Sequence, residues 1–502
     1  MAAPEGLARR RRGYTACFAL GLTLIVLATW CATVAAETPT GPSMPAQGWL
    51  SGGGSTQPLS QAPSSIAVSP ALPRPKIPEF NAGRALANQP WIKAPTTTTA
   101  RDGLGPLYNV RSCLRCHING GRGHIASEGQ LVGSAVVRLA RQSGERTPHE
   151  SVVPDPAYGD QIQIQSISLA DQLGLSPEAV GPGADAEPPA EAKVYVTWTR
   201  ESFAYPDGRT VELRKPTIEL RELGYGPLAA DTLTALRNAP VVHGVGLVAL
   251  VREESLDAWA DPMDKNEDGI SGRRNQVWDP ESSTLVPGRF GWKANSANLR
   301  HTVAGAFVND LGITNPLFPR ETCTAQQARC IRAPSGPDEE GVELPESLLQ
   351  LVVDFLANSA VPAARMLEEA AHNEGSELFV ATGCAQCHRP NMTTGASTEY
   401  PHLAHQEIWP FSDYLLHDMG EALADHRADF DATGREWRTS PLWGIGASKL
   451  INGSAHFLHD GRAGSVEEAI LWHGGEAQNS RDRFVGLNVQ KRTALIAFIE
   501  SL

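Results

Sequence analysis

The sequence has no excess of basic residues. Its 43 lysines and arginines are outnumbered by 56 aspartates and glutamates, which gives a formal net charge of −13. Residues 1–36 contain a run of four arginines, so residues 37–502 alone carry −16. A chain of this charge does not attract nucleic acid or an anionic membrane surface. It is compatible with a basic partner protein, although an acidic surface also simply improves solubility.

Cysteine is scarce, and its 8 positions divide cleanly. Cys17 and Cys31 fall near the N-terminus, in a stretch discussed next. Cys323 and Cys330 have six residues between them and are predicted to form a local disulfide in an oxidising compartment. A redox-active pair is the alternative for these two thiols. The remaining four cysteines form two matching motifs.

Residues 1–36 have the pattern of a secretory signal. The arginines at 9–12 precede an apolar run from Ala16 to about Val34, and small residues follow at Ala35 and Ala36. We therefore predict a cleaved signal peptide and a periplasmic location. The apolar run is long for a signal peptide, so an uncleaved membrane anchor is the alternative.

Two five-residue stretches, 113–117 and 384–388, share the pattern Cys-x-x-Cys-His. Two thiols at this spacing can form thioethers to one porphyrin, and the following histidine then supplies the proximal nitrogen to the iron. We therefore predict two covalently bound haem c groups. A zinc ion shared by both CxxC pairs is disfavoured, because the pairs lie about 270 residues apart and each is followed directly by histidine. The residues predicted to hold the haems are Cys113, Cys116, His117, Cys384, Cys387 and His388.

Composition and periodicity divide the rest of the chain. Residues 192–214 alternate in the manner of strands around a turn at Tyr205-Pro206-Asp207-Gly208, which predicts a β-hairpin. Residues 345–360 have the spacing of an amphipathic helix, and helices are also predicted just before the second motif and at the C-terminus. The predicted segments are a signal peptide (1–36), a disordered Pro/Ser/Gly-rich linker (37–85), an N-terminal haem domain with a β-rich insertion (86–345) and a C-terminal haem domain (346–502).

A short acidic segment could bind calcium. Asp264, Asn266 and Asp268 place oxygen-bearing side chains at alternate positions, Gly269 follows, and the carbonyl of Ile270 would be a further ligand. The twelfth position lacks the glutamate of an EF-hand. The alternative is an acidic turn held by its own side-chain hydrogen bonds.

Several longer segments resemble the bacterial di-haem oxidoreductase family, which is related to the di-haem cytochrome c peroxidases. The resemblance covers roughly residues 100–502. It rests on the segments DKNEDGISGRRN, GRFGWKA, YLLHDMGEALAD, EWRTSPLWGIG and FLHDGRAGSVEEAILWHGGEA.

The resemblance implies a mainly α fold with two class I cytochrome c-like domains facing each other, often with calcium between them. It also implies that peroxide meets the N-terminal haem, while the C-terminal haem receives electrons. A catalytic carboxylate of the relatives corresponds to Asp310, and a tryptophan between the haems corresponds to Trp292. His301 shares the helical region of Asp310 and is a further candidate distal group.

Two residues are candidates for the sixth ligand of the C-terminal iron. The relatives carry this ligand on a helix after a His-Asp-Gly turn, and the matching position here is His473. Met419, 31 residues beyond His388, is the alternative because it is far enough along the chain to reach the opposite face of the haem.

The predicted function is a periplasmic peroxidase that receives electrons from a small cytochrome or cupredoxin. Two alternatives stay open. One is a haem enzyme that oxidises a partner protein, and the other is an electron-transfer cytochrome without substrate chemistry.

Overall fold

The computed structural model describes residues 50–58, 66–173, 175, 177–181, 186–337 and 340–502. The predicted signal peptide and residues 37–49 and 59–65 of the predicted linker lie outside these residues. Within the described ranges, no helix combines the length and the apolar character that a membrane span requires.

Short elements dominate the structure. The α-helices are α1 Ile77–Asn88, α2 Leu169–Leu173, α3 Pro177–Val180, α4 Val245–Ala249, α5 Glu253–Trp259, α6 Leu299–Asp310, α7 Ala328–Ile331, α8 Glu346–Ala357, α9 Glu369–Ala381, α10 Ser448–Asn452, α11 Val466–Leu471, α12 Gln478–Gly486 and α13 Val489–Ser501. The strands are β1 Thr56–Gln57, β2 Leu107–Tyr108, β3 Ala135–Arg141, β4 Gln165–Ser166, β5 Lys193–Ala204, β6 Thr210–Arg221, β7 Thr232–Asn238, β8 Gln276–Asp279, β9 Thr284–Pro287, β10 Val361–Pro362, β11 Met392–Thr393, β12 Glu407–Ile408, β13 Leu416–Asp418 and β14 Glu436–Arg438.

The prediction of a mainly α fold is wrong. Helix accounts for only 31% of the structure and strand for 19%, and the strands form many small sheets. Two class I cytochrome c-like domains facing each other are not shown by this arrangement. The chain contains 47 glycines and 37 prolines, residues that interrupt helices, so long turns and short strand pairs separate the helical segments.

Most of helix α1, residues 77–85, lies in the segment that we expected to be a disordered linker. Its Phe80 is buried and contacts Phe355 of helix α8, with 5.2 Å between the ring centroids. Gly83 allows the two helices to approach closely, because a Cβ at this position would lie 1.9 Å from the Leu351 carbonyl oxygen. The proline-rich composition concealed this short apolar helix, which is stabilised by packing against α8.

The predicted β-hairpin is confirmed. Strands β5 and β6 pair antiparallel from Lys193 opposite Arg221 to Ala204 opposite Thr210. The turn is closed by a hydrogen bond from the Gly208 N–H to the Tyr205 carbonyl at 3.0 Å, with Gly208 in the left-handed region. The hairpin end contacts the C-terminal part of the chain, where the Tyr205 hydroxyl donates to Glu467 at 2.8 Å.

Helices α9 and α13 pack together, and they correspond to the predicted helix before the second motif and to the predicted C-terminal helix. Gly375 of α9 lies directly against Phe498 of α13, and a Cβ on Gly375 would be 2.4 Å from the Phe498 Cβ. Phe379, one turn later on α9, also contacts Phe498, with 5.6 Å between the ring centroids. This close contact fixes the position of the chain just before Cys384.

Two large hydrophobic clusters border the two Cys-x-x-Cys-His motifs. Cys113 and Cys116 pack at the edge of a cluster built mainly from α1, α6 and α8. Cys384 packs at the edge of a second cluster, which contains Phe379 and Phe498. Each motif therefore has its own apolar surroundings.

Candidate haem sites

Both motifs adopt the same local backbone. Each begins with a single turn of 3-10 helix, Cys113–Arg115 in the first and Cys384–Gln386 in the second. The N–H of His117 donates to the Cys113 carbonyl at 3.0 Å, and that of His388 donates to the Cys384 carbonyl at 2.9 Å. This shared turn holds each histidine close to its own pair of cysteines.

Three histidines have one ring nitrogen engaged in the same way. The Nδ1 of His117 donates to the Pro240 carbonyl at 2.7 Å, and the Nδ1 of His388 donates to the Phe411 carbonyl at 2.9 Å. The Nδ1 of His473 donates to the Ala469 carbonyl at 2.7 Å. A proton held on Nδ1 leaves the Nε2 lone pair for a metal, which is the usual arrangement of a histidine ligand.

The second motif lines a large cavity. About 1320 Å³ of space free of protein atoms, its open mouth included, lies beside Cys384, Cys387 and His388. The rest of the wall is mainly apolar and includes Phe379, Leu442, Ile445, Phe457 and Val466. These features fit a porphyrin.

His473 and Met419, the two candidate sixth ligands, both line this cavity. Burial and the nearby His473 lower the pKa of His388 to about 4, although the hydrogen bond to the Phe411 carbonyl acts in the opposite direction. The Met419 carbonyl oxygen lies 3.2 Å from the position that a Cβ on Gly474 would occupy. The two candidates are thus neighbours, and the choice of His473 stays a prediction.

A buried histidine between two carboxylates was missed in the sequence. His417 lines the same cavity, its Nε2 lies 2.9 Å from Asp413 and its Nδ1 lies 2.7 Å from Glu476. Burial lowers the pKa of His417, but the free Cys387 thiol and both carboxylates outweigh it and hold the pKa well above its ordinary value. The segment LLHDMG does not reveal this arrangement, because Glu476 lies in a turn far along the chain from His417.

The first motif has a carboxylate neighbour. The carbonyl of Asp310, at the end of α6, accepts hydrogen bonds from the N–H groups of Asn109 and Val110 at 2.8 and 3.1 Å. These two residues lie four and three positions before Cys113, the first residue of the motif. Burial, and after it the Asp310 charge, raise the pKa of the free Cys113 and Cys116 thiols to about 12.

The Asp310 carboxyl group is held in a poorly solvated position. It accepts a hydrogen bond from the Gln161 Nε2 at 2.9 Å. Burial raises the pKa of Asp310, while Arg138, Gln161 and His117 oppose this shift. The structure therefore brings the predicted acid–base residue near the motif that it was predicted to serve.

The other two predicted catalytic residues lie elsewhere. His301 is in the first turn of α6, nine residues before Asp310, which corresponds to about 13 Å along the helix axis. Its ring lies 5.8 Å from that of Phe318. Trp292 lines the cavity of the second motif, and its indole N–H donates to the Asn238 carbonyl at 2.7 Å. Its place as an electron relay stays a prediction.

The predicted calcium segment forms a turn held by its own side chains. Asp264 accepts from the N–H groups of Asp268 and Gly269, at 3.0 and 3.1 Å, and Asp268 accepts from the Ile270 N–H at 2.9 Å. Asn266 accepts from the Asp268 N–H at 3.1 Å. Calcium binding here stays a prediction, and these contacts are those of the alternative, an acidic turn.

Outside the two motifs, the cysteines that the structure describes are Cys323 and Cys330, and they form a disulfide with 5.8 Å between the Cα atoms. The described residues contain no group of metal-ligating side chains that joins the two CxxC pairs. In those residues, the one group of three ligating atoms within 4.8 Å of one another is Cys387, Asp413 and His417. A zinc ion shared between the motifs is therefore not supported.

Two arginines of the cavity were also missed. Arg122 follows the first motif by five residues yet lines the cavity of the second, together with Arg438. Arg122 is buried, with 5% of its surface exposed. In the sequence, Arg122 lies in the glycine-rich segment INGGRGH and Arg438 in EWRTSP, and neither pattern distinguishes a cavity residue from a surface one.

The comparisons with known proteins gave one match. Residues 50–502 match the family described as "Di-haem oxidoreductase, putative peroxidase". No curated protein and no solved structure matched the chain.

Proposed function

Because the chain belongs to the di-haem oxidoreductase family, we propose that it is a periplasmic peroxidase that reduces peroxide at its N-terminal haem. Membership of the family indicates an oxidoreductase with two haem groups. The peroxide substrate, the c-type attachment and the route of the electrons are the parts that we propose.

The chain offers a complete set of residues to hold each haem. His117 and His388 would be the proximal ligands, since each has its Nδ1 bonded to a carbonyl and its Nε2 free for iron. The adjacent cysteine pairs would form the thioethers. When bound, the two irons supply the one-electron redox chemistry that side chains alone lack.

The observation that carries the proposal is the difference between the two sites. Asp310, a carboxylate with a raised pKa, neighbours the first motif. The cavity of the second motif is instead lined by His473, which would be the sixth ligand of the C-terminal iron, with Met419 as the alternative ligand. This difference favours a reactive N-terminal site and an electron-transferring C-terminal site.

Asp310 would move a proton during the reaction. Reduction of peroxide to two water molecules consumes two electrons and two protons, and it requires a proton on the departing oxygen. A carboxyl group with a raised pKa can take a proton from one peroxide oxygen and give it to the other. Gln161 would orient the carboxyl group through its hydrogen bond of 2.9 Å.

The disulfide between Cys323 and Cys330 supports a location outside the cytoplasm, where such bonds persist. The electron donor in that compartment would be a small cytochrome or cupredoxin. It would deliver electrons through the C-terminal haem.

The test is peroxide turnover with an artificial electron donor by the wild type and by Asp310→Asn. We expect kcat/KM for peroxide to fall by about 100-fold or more in Asp310→Asn, with the haem content unchanged, because acid–base groups contribute about 10²–10⁴-fold. Asp257→Asn is the matched control. It removes a carboxylate that is 63% exposed and paired with Arg274, and it should leave turnover unchanged.

Two outcomes would contradict the proposal. If Asp310→Asn retains full turnover, Asp310 is not the acid–base residue. If the wild type contains two low-spin haems in both redox states and is inert to peroxide, the protein is an electron-transfer cytochrome.

A further inference from the structure

We infer that Arg122 and Arg438 bind the two carboxylates of the haem at the C-terminal site, so that Arg122 links the loop of the first motif to the second haem. The inference rests on the proposed function for the presence of haem in this cavity. It concerns how the protein recognises and tunes that haem, and it does not depend on the reaction with peroxide.

The two arginines reach the cavity from different parts of the chain. The Arg122 guanidinium lies 5.8 Å from the ring of Trp292 and 5.7 Å from that of Phe457, both of which line the cavity. The backbone of Arg122 is anchored by the Asn452 side chain, which donates to the Arg122 carbonyl at 2.9 Å. Arg438 is at the end of β14, and its Nε donates to the Gly291 carbonyl at 2.8 Å.

Neither guanidinium is neutralised by a direct ion pair. Among the described residues, neither Arg122 nor Arg438 forms a direct ion pair, although the more distant Asp413 charge opposes the lowering of the Arg438 pKa by burial. The Nε of Arg122 is buried and has no hydrogen-bond partner in the described structure. Burial and the neighbouring Arg438 lower the pKa of Arg122 to about 10. A buried guanidinium without a partner is costly, so an anion that arrives with the ligand would relieve this cost.

The carboxylate that lines the cavity is already engaged. Glu476 lies 2.7 Å from the His417 Nδ1 and accepts from the Ser271 hydroxyl at 2.8 Å. Glu476 therefore does not neutralise Arg122 or Arg438.

Haem matches this combination of an apolar wall and two buried cations that form no direct ion pair. Its macrocycle is apolar, and its two propionates are carboxylates on one edge. A guanidinium is planar and can bind a carboxylate through two hydrogen bonds, which makes arginine the suitable partner. Because Arg122 belongs to the loop of the first motif, its contact with the second haem would join the two redox sites directly.

The test measures the ferric-to-ferrous equilibrium of the C-terminal haem in the di-haem protein, by spectroelectrochemical titration without peroxide. We expect Arg122→Gln and Arg438→Gln each to shift this equilibrium toward the ferric form by about tenfold, because a nearby positive charge favours the reduced iron. The propionate-bending bands in resonance Raman spectra should shift in the same two variants. Arg122→Lys retains the charge and should retain most of the wild-type equilibrium.

The matched control is Arg435→Gln. It removes one positive charge three residues before Arg438, from a side chain that is 48% exposed and paired with Asp418. Solvent screens this charge, so we expect no shift.

Wild-type equilibria and Raman bands in Arg122→Gln and Arg438→Gln, with both haems present, would overturn the inference. If Arg122→Gln fails to retain two haems, the test rests on the other two variants. A shifted equilibrium in Arg438→Gln, together with a wild-type equilibrium in Arg122→Lys, then supports the inference, and a wild-type equilibrium in Arg438→Gln overturns it. Inactivity of the wild type toward peroxide would refute the proposed function and leave these measurements valid.

Discussion

At the scale of single residues, the histidines show how backbone contacts prepare a side chain for a metal. His117, His388 and His473 each have their Nδ1 bonded to a main-chain carbonyl, at 2.7 to 2.9 Å. This hydrogen bond sets the proton on Nδ1 and orients the ring. His301 instead lies beside Phe318 and accepts from the Ala297 N–H through its Nδ1 at 3.4 Å. The contrast favours the first three as iron ligands.

The choice between His473 and Met419 can be decided by substitution. We expect His473→Ala to convert the C-terminal haem from low spin to high spin, because the variant would lack its sixth ligand. Met419→Ala should leave the low-spin spectrum unchanged, and it is the matched control because both residues line the same cavity. Absorption and electron paramagnetic resonance spectra of the ferric protein measure the change. A high-spin haem in Met419→Ala alone would reverse the assignment.

At the scale of elements, the crossing of α9 and α13 depends on the absence of one side chain. Gly375 contacts the Phe498 side chain and the Ala494 carbonyl, and a Cβ on Gly375 would lie 2.4 and 3.0 Å from them. Since α9 leads directly into Cys384, any displacement of this helix would also move the second motif.

Gly375→Ala should therefore destabilise the protein. We expect the free energy of unfolding to fall by about 1–3 kcal/mol, because overpacking at the contact exceeds the helix propensity that alanine gains. Gly305→Ala in α6 is the matched control, since the nearest atom to its added Cβ would be 3.9 Å away. That variant should be unchanged or more stable by up to about 1 kcal/mol. Urea unfolding measures both, and equal values for the two variants would contradict the packing argument.

At the scale of the whole molecule, a buried network of charges joins distant parts of the chain. Asp425, 6% exposed at its side chain, forms ion pairs with Arg237 of β7 and with Lys293, the latter at 3.5 Å. Arg237 also lies 3.7 Å from Asp429. The network connects the inserted β-rich region with the C-terminal part of the chain.

Asp425→Asn should be strongly destabilising. The variant would leave the buried Lys293 without its carboxylate partner and Arg237 with only the longer contact to Asp429. The loss of one partner of a buried ion pair typically costs about 3–5 kcal/mol. Asp431→Asn is the matched control, because its carboxylate is 50% exposed and pairs with Arg146 at the surface. We expect that change to cost at most about 1 kcal/mol. Urea unfolding of holoprotein with equal haem content provides the comparison, and a small effect of Asp425→Asn would show that the network contributes little.

The sequence by itself determined the local features. The two Cys-x-x-Cys-His motifs, the turn at Tyr205 to Gly208 and the helix of residues 346–357 follow from spacing and turn chemistry within a few residues. These patterns depend on neighbouring residues along the chain, so they can be recognised without a structure. The family follows from segments of the same local kind.

Tertiary structure alone decided the fold class and the surroundings of each motif. Many short strand pairs and the packed helix α1 replaced the expected mainly α fold and linker, because long-range burial overrides local composition. The positions of Arg122 and Glu476 in the second cavity also came from the structure. Contacts between residues far apart in the chain bring such charges together, and no local spacing records them.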